Sequence, residues 1–180
     1  MNQLISIYRN TKDSKSQDTT TITQFLHDVK TGRWKTEIEA VRTNHTGKEL
    51  LPMVTLSGYF RERRADALIT HSTYLCVDID NIPNEHEYQV LFDRIGMDKF
   101  TTAVFRSCGG HGIAVLVNIE PARHADAFEG VQKYYADTFQ IAIDRSCKDI
   151  SRTRFVSYDP HLFTPHKPAL FKSYIPKKSI

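Results

Sequence analysis

The stretch Leu75-Cys76-Val77-Asp78-Ile79-Asp80 decides how this chain is read. Residues 73–80 are short, apolar and partly β-branched up to two acids, and they predict a strand. Positions i and i+2 of a strand share a face. Asp78 and Asp80 therefore stand side by side, with Val77 and Ile79 on the opposite face. Two carboxylates roughly 6–7 Å apart along a strand repel each other. A divalent cation or a positive ligand between them removes that cost. The plainer alternative is a strand that runs out into solvent, with Asn81 and Pro83 opening a turn.

The pattern continues on both sides. Pro83-Asn84 starts a helix with Tyr88, Leu91, Phe92 and Ile95 as its apolar stripe, stopped by Gly96. Residues 101–105 favour sheet, residues 107–112 make a glycine-rich turn, and residues 113–119 form the returning strand. Pro121 opens a long helix reaching about Phe139, with Ala127, Phe128, Val131 and Tyr135 toward a core. The short segment Ile141 to Asp144 precedes a last strand, Phe155 to Tyr158, which ends in Asp159-Pro160. The order strand, helix, strand, strand, helix, strand predicts an α+β fold with a ferredoxin/RRM-like split βαβ core and an antiparallel sheet. In that topology the first strand is central and lies beside the last, which brings Asp144 toward Asp78 and Asp80.

The first part of the chain predicts an N-terminal α/β extension packed on this core. Residues 4–8 read as a strand and residues 9–19 as a polar loop. Two helices follow, at about 22–30 before Gly32 and at about 34–42, the latter with Ile38 and Val41 on one face. Leu51-Pro52 leads into a strand ending near Gly58. We divide the chain into one domain over residues 1–160, made of the α/β unit 1–70 and the core 71–160, and a basic tail over 161–180.

Composition is ordinary for a globular domain: 180 residues, 40% hydrophobic and 25% charged, enough for a real core. No apolar run approaches transmembrane length, and Met1 to Leu4 does not open a signal peptide. Cys76, Cys108 and Cys147 are odd in number and scattered, which predicts reduced thiols and a cytoplasmic location. With His111 they do not complete a four-ligand zinc pattern. A net charge of +3 is too small to demand a polyanionic partner. Local clusters say more: Arg61, Arg63 and Arg64; the stretch from Arg145 to Arg154; and Lys167, Lys172, Lys177 and Lys178.

Three elements make the candidate site. Asp78, Asp80 and Asp144 supply carboxylate oxygens of the kind Mg²⁺ or Mn²⁺ prefers while keeping waters for substrate phosphates. In Ser107-Cys108-Gly109-Gly110-His111-Gly112, three glycines let the backbone approach a ligand, its N–H groups suit phosphate, and His111 adds a donor. Such turns also arise for purely conformational reasons. Arg152 and Arg154 alternate on a strand and suit bidentate phosphate contact, or else they neutralise Asp144 and Asp159.

Together these pieces resemble the archaeo-eukaryotic primase superfamily, whose pattern is an apolar strand ending in Asp-x-Asp, a glycine-rich hairpin with a Ser, and a later apolar-Asp. Within it the chain is most similar to the VirE-type N-terminal domain of bacterial mobile-element replication proteins, through Leu51-Pro52, Asp78-Ile79-Asp80 and residues 144–160. The resemblance covers about residues 4–160. It implies a primase–polymerase-like nucleotidyltransferase acting in DNA replication of a mobile element. Asp78, Asp80 and Asp144 then correspond to catalytic metal ligands. Ser107, Gly109, Gly110, His111, Gly112, Arg152 and Arg154 correspond to nucleotide or phosphate contacts. The implied partners are a DNA template, nucleoside triphosphates and a helicase or primase-accessory domain, with no membrane. One position departs from the pattern: where superfamily members often carry a His two residues after the last glycine, this chain has Ala114. A non-catalytic nucleic-acid-binding module of the same fold is therefore the alternative. A metal-dependent nuclease ranks third, because no lysine is evident near the acidic strand.

Overall fold

A computed structural model describes residues 3–176; Lys177 and Lys178 of the basic run lie outside the described residues. The chain folds as β1 (Leu4–Tyr8), β2 (Asp18–Thr21), α1 (Ile22–Thr31), α2 (Lys35–Asn44), β3 (Met53–Thr55), β4 (Gly58–Phe60) and β5 (Leu68–His71). It continues as β6 (Tyr74–Ile79), α3 (Glu85–Gly96), β7 (Thr101–Arg106), β8 (Ile113–Asn118), α4 (His124–Phe139) and β9 (Arg154–Phe155). This is an α+β fold with three antiparallel sheets, ordered β2-β1-β3-β9, β4-β5 and β6-β8-β7.

Period-two alternation splits the β6-β8-β7 sheet into two buried faces. Leu75, Val77 and Ile79 of β6 pack with Val104, Ile113, Val115 and Val117 beneath α3 and α4. Tyr74, Cys76, Ala103, Phe105, Ala114 and Leu116 face the other way, onto α1 and α2 of the N-terminal unit. Asp78 and Asp80 continue the second row, so the acids emerge where its apolar cover ends.

Local signals set the helices. Thr21 caps α1, its hydroxyl accepting the Gln24 N–H at 3.1 Å, and Gly32 ends it with φ +90°. Asn84 caps α3 reciprocally: its oxygen accepts the Glu87 N–H and its amide donates to the Glu87 carboxylate, both at 2.9 Å.

Four expectations are corrected. The core keeps the predicted order β6-α3-β7-β8-α4, but the last strand does not pair with β6. β9 is only two residues long and pairs with β3 in the N-terminal sheet. The place beside β6 is taken by Asp144, whose N–H donates to the Asp78 carbonyl at 2.9 Å. The loop expected over 9–19 ends in a strand, β2, and the strand expected to stop near Gly58 is followed by the β4-β5 hairpin. Finally, residues 161–176 of the expected basic tail pack against the core. Phe163 exchanges two backbone hydrogen bonds with Val104, and Phe171 is fully buried in the α3/α4 core. Among the described residues no helix is long and apolar enough to cross a membrane.

A histidine pair, His124 buried and His71 half-buried, joins β5 to α4. The Thr73 N–H donates to His71 Nδ1 at 2.9 Å, which leaves the ring proton on Nε2. That nitrogen lies 3.0 Å from His124 Nδ1 and donates to it. Burial pushes His71 down to about 4, and burial together with His71 does the same to His124. An unfolded chain protonates both near 6.5, whereas the native one refuses the protons until about 4. Stability is therefore complete above pH 6.5 and falls as pH drops through that window. Between pH 6 and 5 the loss should be roughly 1–2 kcal/mol per pH unit, less than the full two-proton slope because His71 is only half-buried and solvent screens it. Urea unfolding across this range measures the slope; a flat profile would contradict the neutral pair.

Candidate functional site

Asp78 and Asp80 sit at the end of β6, where a cleft of about 770 Å³ opens between the core sheet and the N-terminal unit. Asp144 and the hairpin loop after β7 border the same cleft. Each carboxylate has a different environment. Asp78 is largely enclosed and accepts from Arg154 Nη1 at 2.7 Å, with the Cys147 thiol 3.7 Å from its other oxygen. Asp144 accepts the Ser146 N–H at 2.9 Å, the Ser146 hydroxyl, and Arg152 Nη2 at 3.4 Å. Burial works against the Asp144 carboxylate, but these donors outweigh it and hold its pKa below the usual range. Asp80 meets no hydrogen-bond donor among the described residues. Its surroundings push its pKa up, first by burial and then through the charges of Asp78 and Asp144, against weaker opposition from Arg154 and Lys48.

The three predicted acids thus share one electrostatic site, and its uncompensated member is Asp80. Among the described residues, no three His, Cys, Asp or Glu side chains stand close enough to hold a metal ion as they are placed. The donor chemistry still fits a hard cation such as Mg²⁺ or Mn²⁺. Asp80 is the ligand ready for it, and Asp144 can join by releasing the exposed Arg152. Asp78 would have to share its carboxylate with Arg154.

The two arginines expected to face phosphate together both border the cleft, but each is already paired with an acid. Arg152 lies in the turn before β9, half exposed, over Asp144. Arg154 is buried: Nη1 also reaches Cys76 Sγ at 2.9 Å, and the guanidinium carbon lies 5.1 Å from the Phe105 ring centre. Burial opposes its charge, but the Asp78 carboxylate prevails and raises its pKa. Asp78, Ala114 and Phe105 are direct cross-strand neighbours. A guanidinium that touches both ends of this row lies over its middle. Ala114, fully buried, is the small residue between those two ends. Asp159 is not an arginine side-chain partner; it accepts the backbone N–H groups of Arg106 and His161.

The glycine loop closes the cleft beside Asp80. A Cβ on Gly112 would lie 2.8 Å from the Ile79 carbonyl, 3.0 Å from Ser107 Oγ and 3.1 Å from Asp80 Oδ1. Gly110 takes φ +87°, which favours glycine. The Ile82 N–H donates to the His111 carbonyl at 3.2 Å, tying loop to acidic strand. Ser107, Cys108, Gly109, His111 and Gly112 border the cleft.

Sequence reading missed two cations of the cleft, and it ranked hydrolysis low for want of a lysine. Lys48 borders the cleft and its charge reaches Asp80; its Nζ is 5.1 Å from the Phe155 ring centre. Arg63 borders it too, held by the Thr11 carbonyl at 3.2 Å. No local pattern marks Lys48, because the three-residue turn carrying it is far in sequence from every acid of the site. The cysteines are not reactive ligands here: burial lifts Cys76 to about 11 and pushes Cys147 up as well.

A family model described as "BT4734-like, N-terminal domain" matches residues 46–163. The match spans more than half of the chain, from ahead of β3 to beyond β9, and includes every acid of the cleft; the chain belongs to that family. No curated protein and no solved structure matches it.

Proposed function

We propose that the cleft binds a nucleoside triphosphate together with Mg²⁺ or Mn²⁺, and that the chain is a nucleotidyltransferase of the primase–polymerase type. Its setting would be DNA replication of a mobile element, in the cytoplasm, where its three thiols stay reduced. The observation that carries the reading is Asp80: a carboxylate without a donor, its pKa raised by burial and then by two neighbouring carboxylates, at the mouth of a nucleotide-sized cleft. The resemblance to the primase superfamily and its VirE-type branch supports the same assignment.

In this reading Asp80 and Asp78 hold the cation, and Asp144 completes the set once Arg152 moves away. A cation held there would supply activation of an attacking oxygen and neutralisation of charge on the leaving phosphate. Ser107 and the amides of Cys108, Gly109 and His111 would receive the triphosphate. Arg152, freed from Asp144, turns to phosphate, while Arg154 keeps Asp78 in place. A DNA template would cross the cleft, and a helicase or primase-accessory domain would supply strand opening. Titration with a non-hydrolysable nucleoside triphosphate tests this reading: saturable binding that is at least tenfold tighter in Mn²⁺ than in EDTA is expected. Equal binding in both contradicts it.

A second reading, a non-catalytic nucleic-acid-binding module, is favoured by one observation: Asp78 and Asp144 are already paired with arginines. It predicts metal-independent DNA binding with steep salt dependence. Arg152→Ala would weaken that binding and Asp78→Asn would not. Lys48 beside Asp80 also suits a metal-dependent nuclease, which cleavage of a labelled oligonucleotide would reveal.

A further inference from the structure

Two arginines that border no part of the cleft hold the loop that does. Arg42 of α2 donates from Nη2 to the Ser107 carbonyl at 2.9 Å and from Nε to the Cys108 carbonyl at 3.2 Å. Its Nη2 also reaches the Tyr158 carbonyl at 2.9 Å, which anchors the guanidinium to the body of the fold. Arg106, at the end of β7, donates from Nη1 to the Gly110 carbonyl at 2.9 Å. Arg106 is itself fixed by the Glu85 carboxylate, 2.9 Å from Nη1, and by the Tyr88 ring 3.6 Å beneath its guanidinium carbon.

Peptide planarity turns these contacts into a statement about donors. In a trans peptide the C=O and the following N–H point in opposite directions, and the described residues contain no cis peptide. Carbonyls 107, 108 and 110 point at the arginines, so amides 108, 109 and 111 point away from them. Those three amides meet no protein acceptor among the described residues. The cleft is bordered by Ser107, Cys108, Gly109 and His111, and not by Arg42, Arg106 or Gly110. The free donors therefore lie on the cleft side and the guanidinium groups behind.

We infer that Arg42 and Arg106 are positioning residues that lock the loop's peptide planes so that the amides of Cys108, Gly109 and His111 form a preset nest for a polyphosphate anion. Without the two guanidinium groups the peptides following Cys108 and Gly110 lose the bonds that fix their planes, and the donors must be ordered at the moment of binding. Successive backbone N–H groups of this kind bind anions through partial charges that need no cation. The inference deepens the proposed triphosphate site, but it stands or falls without the metal.

The test uses inorganic tripolyphosphate in EDTA, titrated into the full chain and into Arg42→Lys and Arg106→Lys. Each variant keeps the positive charge and loses the fork that spans the carbonyls. The wild type is expected to bind. Each variant that retains the wild-type circular dichroism spectrum should bind at least tenfold more weakly, with faster hydrogen exchange at amides 108–111. Should Arg42→Lys fail to fold, Arg106→Lys decides, since its carbonyl contact is a single bond on an otherwise anchored strand. Unchanged affinity in a folded variant overturns the positioning role. A wild type that ignores tripolyphosphate in EDTA overturns the nest, whereas the metal reading is judged separately by Mn²⁺ binding at Asp80.

Discussion

Replacing Arg154 with Met should destabilise the protein by about 3–5 kcal/mol, the usual cost of stranding one partner of a buried ion pair. For a domain of this length that is roughly 6–20 °C in Tm. The reason is local. Asp78 has 17% of its side chain exposed and Arg154 8%, and Arg154 gives both its carboxylate contact and its thiol contact from the same nitrogen. Met keeps the apolar contact with Phe105 but leaves Asp78 charged and without its partner. The double variant Asp78→Asn with Arg154→Met should recover a large part of the loss, because the stranded charge is gone. Urea denaturation of the four proteins measures this; a single variant within 1 kcal/mol of wild type would contradict the buried pair.

Asp80→Asn should behave in the opposite manner. It touches no donor, so removing its charge removes repulsion from Asp78 and Asp144, and the fold should be as stable as wild type or slightly more so. Nucleotide binding in Mn²⁺ should fall at least a hundredfold, because an amide is a weak ligand for a hard cation. Loss of binding with stability retained separates a ligand from a structural residue. Asp78→Asn alone does not make that separation, since it also strands Arg154.

The contrast between these two acids indicates what the sequence made legible. Alternation in 75–80 places both on one face, and the structure agrees, with Val77 and Ile79 in the core under α3 and α4. The helices with clear caps, at Thr21 and Asn84, lie where their patterns put them. What failed was pairing at a distance. Residues 154–155 read equally well as a neighbour of β6 or of β3, because strand propensity carries no address; the β3 edge took them. The β4-β5 hairpin was hidden by Arg61, Arg63 and Arg64, which interrupt the apolar pattern on its connection. Asp144 nevertheless reaches Asp78, through a single backbone bond where a strand was expected.

The candidate site divides the same way. Acids and glycines announce themselves by type and spacing. Their supports do not: Arg42 lies 66 residues before Cys108 in the chain, on a helix whose pattern says only that Ile38 and Val41 face inward. Lys48 and Arg63 reach the cleft because the N-terminal unit closes over the sheet, which no local pattern encodes. The position of Ala114, a departure from the primase pattern, becomes clear only when its cross-strand neighbours are known: it stands between Asp78 and Phe105, both of which Arg154 approaches.

The central claim, a divalent cation held by Asp80 beside Asp78 and Asp144, is tested most directly by the electron paramagnetic resonance signal of free Mn²⁺. Mn²⁺ is titrated into the protein with a non-hydrolysable nucleoside triphosphate present, and the nucleotide-only titration is subtracted. The account predicts that wild type quenches the signal to about one or two ions per chain, and that Asp80→Asn does not. A wild type that leaves the signal at the nucleotide-only level, or an Asp80→Asn protein that quenches it equally, would contradict the claim.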